Sequence, residues 1–185
     1  NLFDEVKILI YLRHQLSTAV SRLSTGLKFG GILKELYSPN EKIISNICNH
    51  GDSLQKWEKV FGISNLEIRL FEKKDLKNGD VISDFCNTCF KSISLNSFKK
   101  LKVRNQTLSL TGMQMMYFIN KRFKDLVDKK VHNYRGNVSE FIAENTNDGS
   151  IFLPSKEQYY EYENFYASSN KYVKEKFFPK RKILF

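Results

Sequence analysis

The sequence predicts an α/β fold built on a parallel sheet. Two short apolar runs, KILIYL at residues 7–12 and NLEIRLFE at 65–72, are separated by stretches of helical periodicity. The order strand, helix, helix, strand needs a crossover connection, and a crossover joins parallel strands. After about residue 94 the strand signal fades and helical patterns dominate. We therefore expect a single domain over residues 1–185, with an α/β part at 1–93 and a mainly helical part at 94–185. A chain of 185 residues buries a real core without disulfides or metals. Its 41% hydrophobic and 27% charged residues, with 15 Phe and 9 Tyr against 3 Pro, exclude a disordered chain.

The first strand, at 7–12, is apolar and bounded by charge, the pattern of an interior parallel strand, and Arg13 stands at its carboxyl end. In the helix that follows, Leu16, Val20, Leu23 and Leu27 recur at helical spacing. Ser17, Ser21, Ser24 and Lys28 trail them by one residue, forming a polar stripe that starts at the Arg13 end. Gly30 and Gly31 end this helix, and the stretch through Tyr37, Ser38, Pro39 and Asn40 reads as an irregular excursion. Asp52 with Gln55 resembles a capping box, opening a short helix through Leu54, Trp57 and Phe61 that Gly62 closes. The second strand comes next, then a helix over 80–90 with Val81, Phe85 and Cys89 on one side. The segment SFKKLKVRNQTLSL is basic and loop-like. Thr111 with Gln114 caps a helix to about residue 127, with Met113, Met116, Tyr117 and Phe123 inward. Ser155 with Gln158 caps the last, over 154–178, which carries Tyr159, Tyr162, Phe165 and Tyr166.

Thirty Lys and Arg against 20 Asp and Glu give a net charge of +10. Such a field favours anionic partners: phosphates, sulfates, acidic glycans, nucleic acid or a membrane surface. Two basic clusters, Lys99, Lys100, Lys102 and Arg104, and Lys180, Arg181 and Lys182, fit a solvated face better than a nucleic-acid interface, since no recognised binding motif accompanies them. The odd count of 3 cysteines, without scaffold spacing, points to a reducing, cytoplasmic setting. No apolar run approaches the roughly 18 residues of a membrane span, and the first residues lack a basic leader. A start at Asn1 without Met, with a strand beginning within a few residues, leads us to expect further chain upstream.

Cys86 and Cys89 have no second pair at ligand spacing and read as buried structural thiols, so no metal is expected. Imidazole titrates near neutrality, so His14, His50 and His132 are general-base candidates in principle. His14, beside Arg13, is the stronger general-base candidate, whereas His50 and His132 fit surface roles. STGLKFGG at 24–31 lacks Walker spacing and follows a helix instead of a strand. The sequons at Asn105 and Asn137 matter only in a secretory lumen.

Arg13 and Ser21 form the strongest constellation. A guanidinium at a strand end supplies bidentate, charge-assisted bonds to an anion, and a hydroxyl on the next helix supplies a third donor. The segment VKILIYLRHQLSTAVSRLSTGLK resembles the PAPS-dependent sulfotransferase family, in its bacterial branch associated with surface glycans. It has that family's order of strand, Arg, seven residues, Ser. The resemblance implies that Arg13 and Ser21 hold the 3'-phosphate of PAPS, 3'-phosphoadenosine 5'-phosphosulfate. SLQKWEKVFGISNLEIRLFEKKDL is similar to the family's helix and strand before an aromatic-Glu-x-x-Leu turn, which implies Phe71 against the adenine. NQTLSLTGMQMMYFIN and FYASSNKYVKEKFFPKRKILF are similar to its C-terminal helices.

The fold so implied is a P-loop-NTPase-like parallel sheet sandwiched by helices, with a helical C-terminal half. Lys28, two turns beyond Ser21 on the polar stripe, would add positive charge to a cleft there. The family's P-K-[ST]-G-T-T-like loop is absent, and with it the N-terminal strand and the phosphosulfate cradle; a catalytic base is expected upstream of Asn1. The expected function is transfer of a sulfuryl group from PAPS to a hydroxyl or amine of a glycan or similar acceptor. This chain would carry the 3'-phosphate half of the site and be inactive alone. The alternatives are a non-catalytic binding or structural protein of the same fold, and a basic nucleic-acid-binding module.

Overall fold

Two strands, β1 (Ile8–Leu12) and β2 (Leu66–Leu70), pair in parallel, from Ile8 beside Leu66 to Leu12 beside Leu70. They belong to a computed structural model that describes residues 5–90, 106–122 and 138–185. The described residues also form seven α-helices: α1 (Gln15–Lys28), α2 (Lys42–Cys48), α3 (His50–Phe61), α4 (Val81–Cys89), α5 (Leu110–Arg122), α6 (Val138–Asn145) and α7 (Lys156–Phe177). The described residues thus form a mixed α/β structure, mostly helical, with a small parallel sheet. Both predicted strands are present and parallel. Among the described residues β1, which lies in the apolar run at 7–12, has β2 as its one neighbour.

Strand periodicity explains that run. Side chains alternate between faces, so Ile10, Leu12, Ile68 and Leu70 share one face, and Tyr11, Arg13, Arg69 and Phe71 share the other. The first face is core: Leu12 and Leu70 are 3% exposed and pack with Leu54 of α3, Val173 of α7 and Leu184. The second face carries polar chemistry.

The chain forms two compact units, each assembled from separated stretches. One comprises residues 1–15, 45–102 and 163–185 and contains the sheet. In it α3 starts at Asn49, whose side-chain oxygen accepts from the Asp52 N–H at 3.4 Å while its amide donates to the Asp52 carboxylate at 2.7 Å. Asp52 therefore lies in the first turn and is not the cap that the Asp52–Gln55 pattern suggested. Gly62 closes the helix at φ +78°, as expected. On α4, capped by Asp80 accepting from the Ser83 N–H at 2.7 Å, the buried residues are Ser83, Asp84 and Cys86, and Cys89 is exposed. Only one of the two thiols is therefore buried. The inward position goes to Asp84 because its carboxylate finds a full set of donors there.

The other unit comprises residues 16–44 and 103–162. Its core joins Leu23 and Leu27 of α1 to Leu108, Met113 and Met116 of α5's neighbourhood and Ile142 of α6. Ser24 and Lys28 do not continue an exposed polar stripe. Ser24 is buried and accepts from the Leu108 N–H at 2.9 Å, and Lys28 donates to the Gln106 carbonyl. Both satisfy backbone groups of the segment beside α1 that have no ladder partner. Helix α5 is opened by Ser109, whose hydroxyl accepts from the Gly112 N–H at 3.0 Å, while Thr111 donates to Asp148 at 2.6 Å. Phe123 and the expected end near residue 127 lie outside the described residues. At α7 the Ser155–Gln158 capping box forms as read, with its reciprocal bonds at 2.9 and 3.2 Å.

The α1 terminus shows why STGLKFGG is not a phosphate loop. Gly30, at φ +98°, donates to the Leu27 carbonyl at 3.1 Å and Gly31 to the Gly26 carbonyl at 2.8 Å. This paired arrangement is a helix stop that consumes the N–H groups an anion would need. Buried Asn120 completes it, donating to the Leu27 and Gly31 carbonyls at 2.8 and 2.7 Å. A Cβ on Gly31 would come within 2.8 Å of the Gly26 oxygen. Gly31→Ala is therefore expected to cost about 1–3 kcal/mol, the usual penalty of overpacking, seen as a lower urea midpoint; an unchanged midpoint would show that the stop yields freely.

Candidate functional site

The polar face of the sheet is organised by one buried carboxylate. Tyr11 and Arg69 are neighbours across the ladder, and both reach Asp84 on α4, which is 0% exposed. The Tyr11 hydroxyl donates to Asp84 Oδ2 at 2.8 Å, and Arg69 donates through Nε to Oδ2 at 2.5 Å and through Nη2 to Oδ1 at 2.6 Å. The Lys77 N–H adds a bond to Oδ1 at 2.9 Å. Burial pushes the Asp84 carboxyl upward, but Arg69, the Lys77 N–H and Tyr11 outweigh it and the net shift is downward. Tyr11 is pushed up, by burial first and then by the adjacent carboxylate. Arg69 is raised by its bond to Asp84.

Beyond this network the strands end in Arg13 and Phe71, and the Phe71 N–H still donates to the Leu12 carbonyl at 2.7 Å. Arg13 is half-buried and its guanidinium lies over the Phe71 ring, 6.0 Å from the centroid. Phe71 is 39% exposed. It is therefore not part of the core. The Tyr11 ring meets Phe71 edge-on, with centroids 6.4 Å apart and planes at 87°. Among the described residues the Arg13 guanidinium has no hydrogen bond or ion pair. Burial lowers its pKa, but an arginine remains charged across the working range.

The backbone of Arg13 is held from behind. His50 is 6% exposed, and its Nε2 lies 2.9 Å from the Arg13 carbonyl. Because the carbonyl can only accept, His50 carries its proton on Nε2. Its ring meets Phe185 at 6.0 Å, and His14, which pairs with Glu163 at 3.1 Å, meets the same ring at 5.4 Å. His50 is thus a buried structural histidine and not a surface one. Burial lowers its pKa, the bond to Arg13 raises it, His14 lowers it, and the net direction is down.

The sign follows: a folded pKa below the unfolded value of about 6.5 means the unfolded chain binds more protons. This stabilisation is complete above about pH 6.5 and is lost as pH falls below it. Urea midpoints at pH 7.5 and 5.5 should therefore differ less in His50→Gln than in the parent; equal differences would remove His50 as the source.

Ser21 and Lys28 belong to the other unit, both on α1. Ser21 is half-buried, and Lys28 is engaged with the Gln106 carbonyl. Burial lowers the Lys28 pKa. Of the four predicted site residues, the structure brings together Arg13 and Phe71. Of the basic tail, Arg181 is paired with Asp75 at 2.6 Å, and Lys180 and Lys182 are exposed. The cluster Lys99, Lys100, Lys102 and Arg104 lies outside the described residues, as does His132. Among the described residues no group of three His, Cys, Asp or Glu could hold a metal ion, and no helix is long and apolar enough to cross a membrane.

Sequence reasoning missed Tyr11, Arg69 and Asp84. The signal was available: alternate positions of both apolar runs hold Tyr11, Arg13 and Arg69, and an aspartate interrupts an apolar helix. Comparison with known protein families, with characterised proteins and with solved structures finds no match for this chain.

Proposed function

We propose that this chain is the nucleotide-holding part of a PAPS-dependent sulfotransferase-like protein, within a P-loop-NTPase-like sheet larger than the two strands described. The observation that carries the reading is the Arg13 guanidinium over the exposed Phe71 ring, 6.0 Å from its centroid, at the carboxyl ends of two parallel strands. Ligands of open α/β sheets bind at that end. A half-buried guanidinium without a protein hydrogen-bond partner among the described residues suits a phosphate, and an exposed ring beside it suits a flat base. Ser21 enters as the second phosphate donor on the strength of the sequence resemblance. Lys28, engaged with a carbonyl, contributes background positive charge.

Sulfuryl transfer to a glycan hydroxyl or amine also needs donors for the charge that develops on the leaving phosphate oxygen, and a base for the acceptor proton. This reading assigns neither to the present residues, so the isolated chain binds without turnover. The test is calorimetric titration with adenosine 3',5'-bisphosphate and with adenosine 5'-monophosphate. Binding of the bisphosphate, weakened when the 3'-phosphate is absent, is expected. Failure to bind, or tight and strongly salt-dependent oligonucleotide binding that Arg13→Ala leaves unchanged, would replace this reading with that of a basic nucleic-acid module.

A further inference from the structure

We infer that Tyr11, held by the buried Asp84 carboxylate, is a positioning residue that sets the Phe71 ring for the base of a bound nucleotide; the inference rests on the nucleotide reading above. Asp84 accepts from Tyr11, twice from Arg69 and from the Lys77 N–H, which uses the acceptor capacity of a carboxylate. The Tyr11 hydroxyl is therefore held at one point at its far end, and the strand holds its Cα at the other. Held at both ends of its long axis, the ring keeps its place beside Phe71 and retains only rotation about that axis.

In that place it meets Phe71 at right angles, with centroids 6.4 Å apart and planes at 87°, a favoured geometry for two aromatic rings. Phe71 needs such a brace. It follows the last residue of β2 and is 39% exposed, so packing alone leaves its side-chain torsions free to change. With Tyr11 on one side and the Arg13 guanidinium over the ring, the exposed part of Phe71 is offered in a fixed plane. The consequence is a division of labour on one sheet face. Arg69 and Asp84 hold Tyr11, Tyr11 holds Phe71, and Phe71 with Arg13 meets the ligand.

A structural role alone for Tyr11 would change all ligands equally, whereas a positioning role changes the contribution of the base. The test compares adenosine 3',5'-bisphosphate with the base-free ribose 3,5-bisphosphate, in the parent chain, Tyr11→Phe and Tyr11→Leu. Stacking on one aromatic side chain is worth about tenfold in affinity, and the parent should prefer the nucleotide by about that factor. Tyr11→Phe, which keeps the ring and frees its end, should reduce the preference about threefold, and Tyr11→Leu should abolish it, with the base-free ligand bound as before. An undiminished preference in Tyr11→Leu, or equal losses for both ligands, would overturn the inference. If the parent binds neither ligand the nucleotide reading fails by itself, and the brace is then decided by fluorine NMR of 4-fluorophenylalanine placed at position 71. A resonance that shifts or broadens in Tyr11→Leu supports it; an unchanged resonance overturns it.

Discussion

Asp84→Ala is expected to be the most destabilising single substitution in the described chain, costing about 3–5 kcal/mol, the usual loss when one partner of a buried ion pair is removed. Asp84 is 0% exposed, and its removal leaves the Arg69 guanidinium, the Tyr11 hydroxyl and the Lys77 N–H without their acceptor. Against a typical domain stability of about 5–15 kcal/mol, such a loss is a large fraction of the whole. Denaturant unfolding at neutral pH measures it directly, and a change under about 1 kcal/mol would reduce the network to a surface salt bridge.

The loss also has a pH signature. The folded Asp84 pKa is depressed, so its stabilising contribution is present above the unfolded value of about 3.9 and declines as pH falls through the lower folded value. The difference between parent and variant should therefore shrink in acid. Replacing both charges by apolar residues, Arg69→Met with Asp84→Leu, should recover part of the loss, because no guanidinium then remains that has lost its buried acceptor and keeps only Glu67 at 3.6 Å.

The parts of this fold legible in the sequence were those governed by local chemistry. The two strands, the Gly62 stop and the Ser155–Gln158 box each depend on a few adjacent residues, while the parallel pairing follows from the crossover that the order of elements requires, and each is present. The misreadings were made where a partner outside the motif decides. Asp52–Gln55 has the form of a capping box, yet Asn49 lies earlier and holds Asp52 as its own partner. Ser24 continues a polar stripe on a helical wheel, yet the Leu108 N–H needs an acceptor and draws it inward. His50 looked solvent-facing until the Arg13 carbonyl gave it a buried partner.

Site legibility follows the same division. Arg13 stands out because it ends an apolar strand, and the structure adds what spacing does not contain: the ring it rests on and the network beneath that ring. Treating KILIYL as uniformly apolar hid the alternation that puts Tyr11 and Arg13 on one face. Two arginines lie on that face, and sequence offers no means of telling which one serves the fold, because the difference is whether a carboxylate lies within reach.

That difference yields the second large prediction. Arg13→Ala is expected to weaken binding of adenosine 3',5'-bisphosphate by about 1.5–3 kcal/mol, the worth of hydrogen bonds to a charged group, or roughly 10- to 150-fold in Kd. Arg13→Lys should restore only part of this, since an ammonium keeps the charge but not the planar fork that grips a phosphate bidentately. Phe71→Ala should cost about 1–3 kcal/mol through lost stacking. The double variant should lose less than the sum, because the guanidinium lies over the ring and both would meet the same ligand, so the two sites couple. Folding stability should respond in the opposite order. Arg13 contributes one ring contact, worth about 0.5–1 kcal/mol at an exposed site, so Arg13→Ala should barely move the urea midpoint while Arg69→Ala lowers it severely. An Arg13→Ala chain that unfolds as easily as Arg69→Ala would show both arginines serving the fold, and the nucleotide reading would lose its charged anchor.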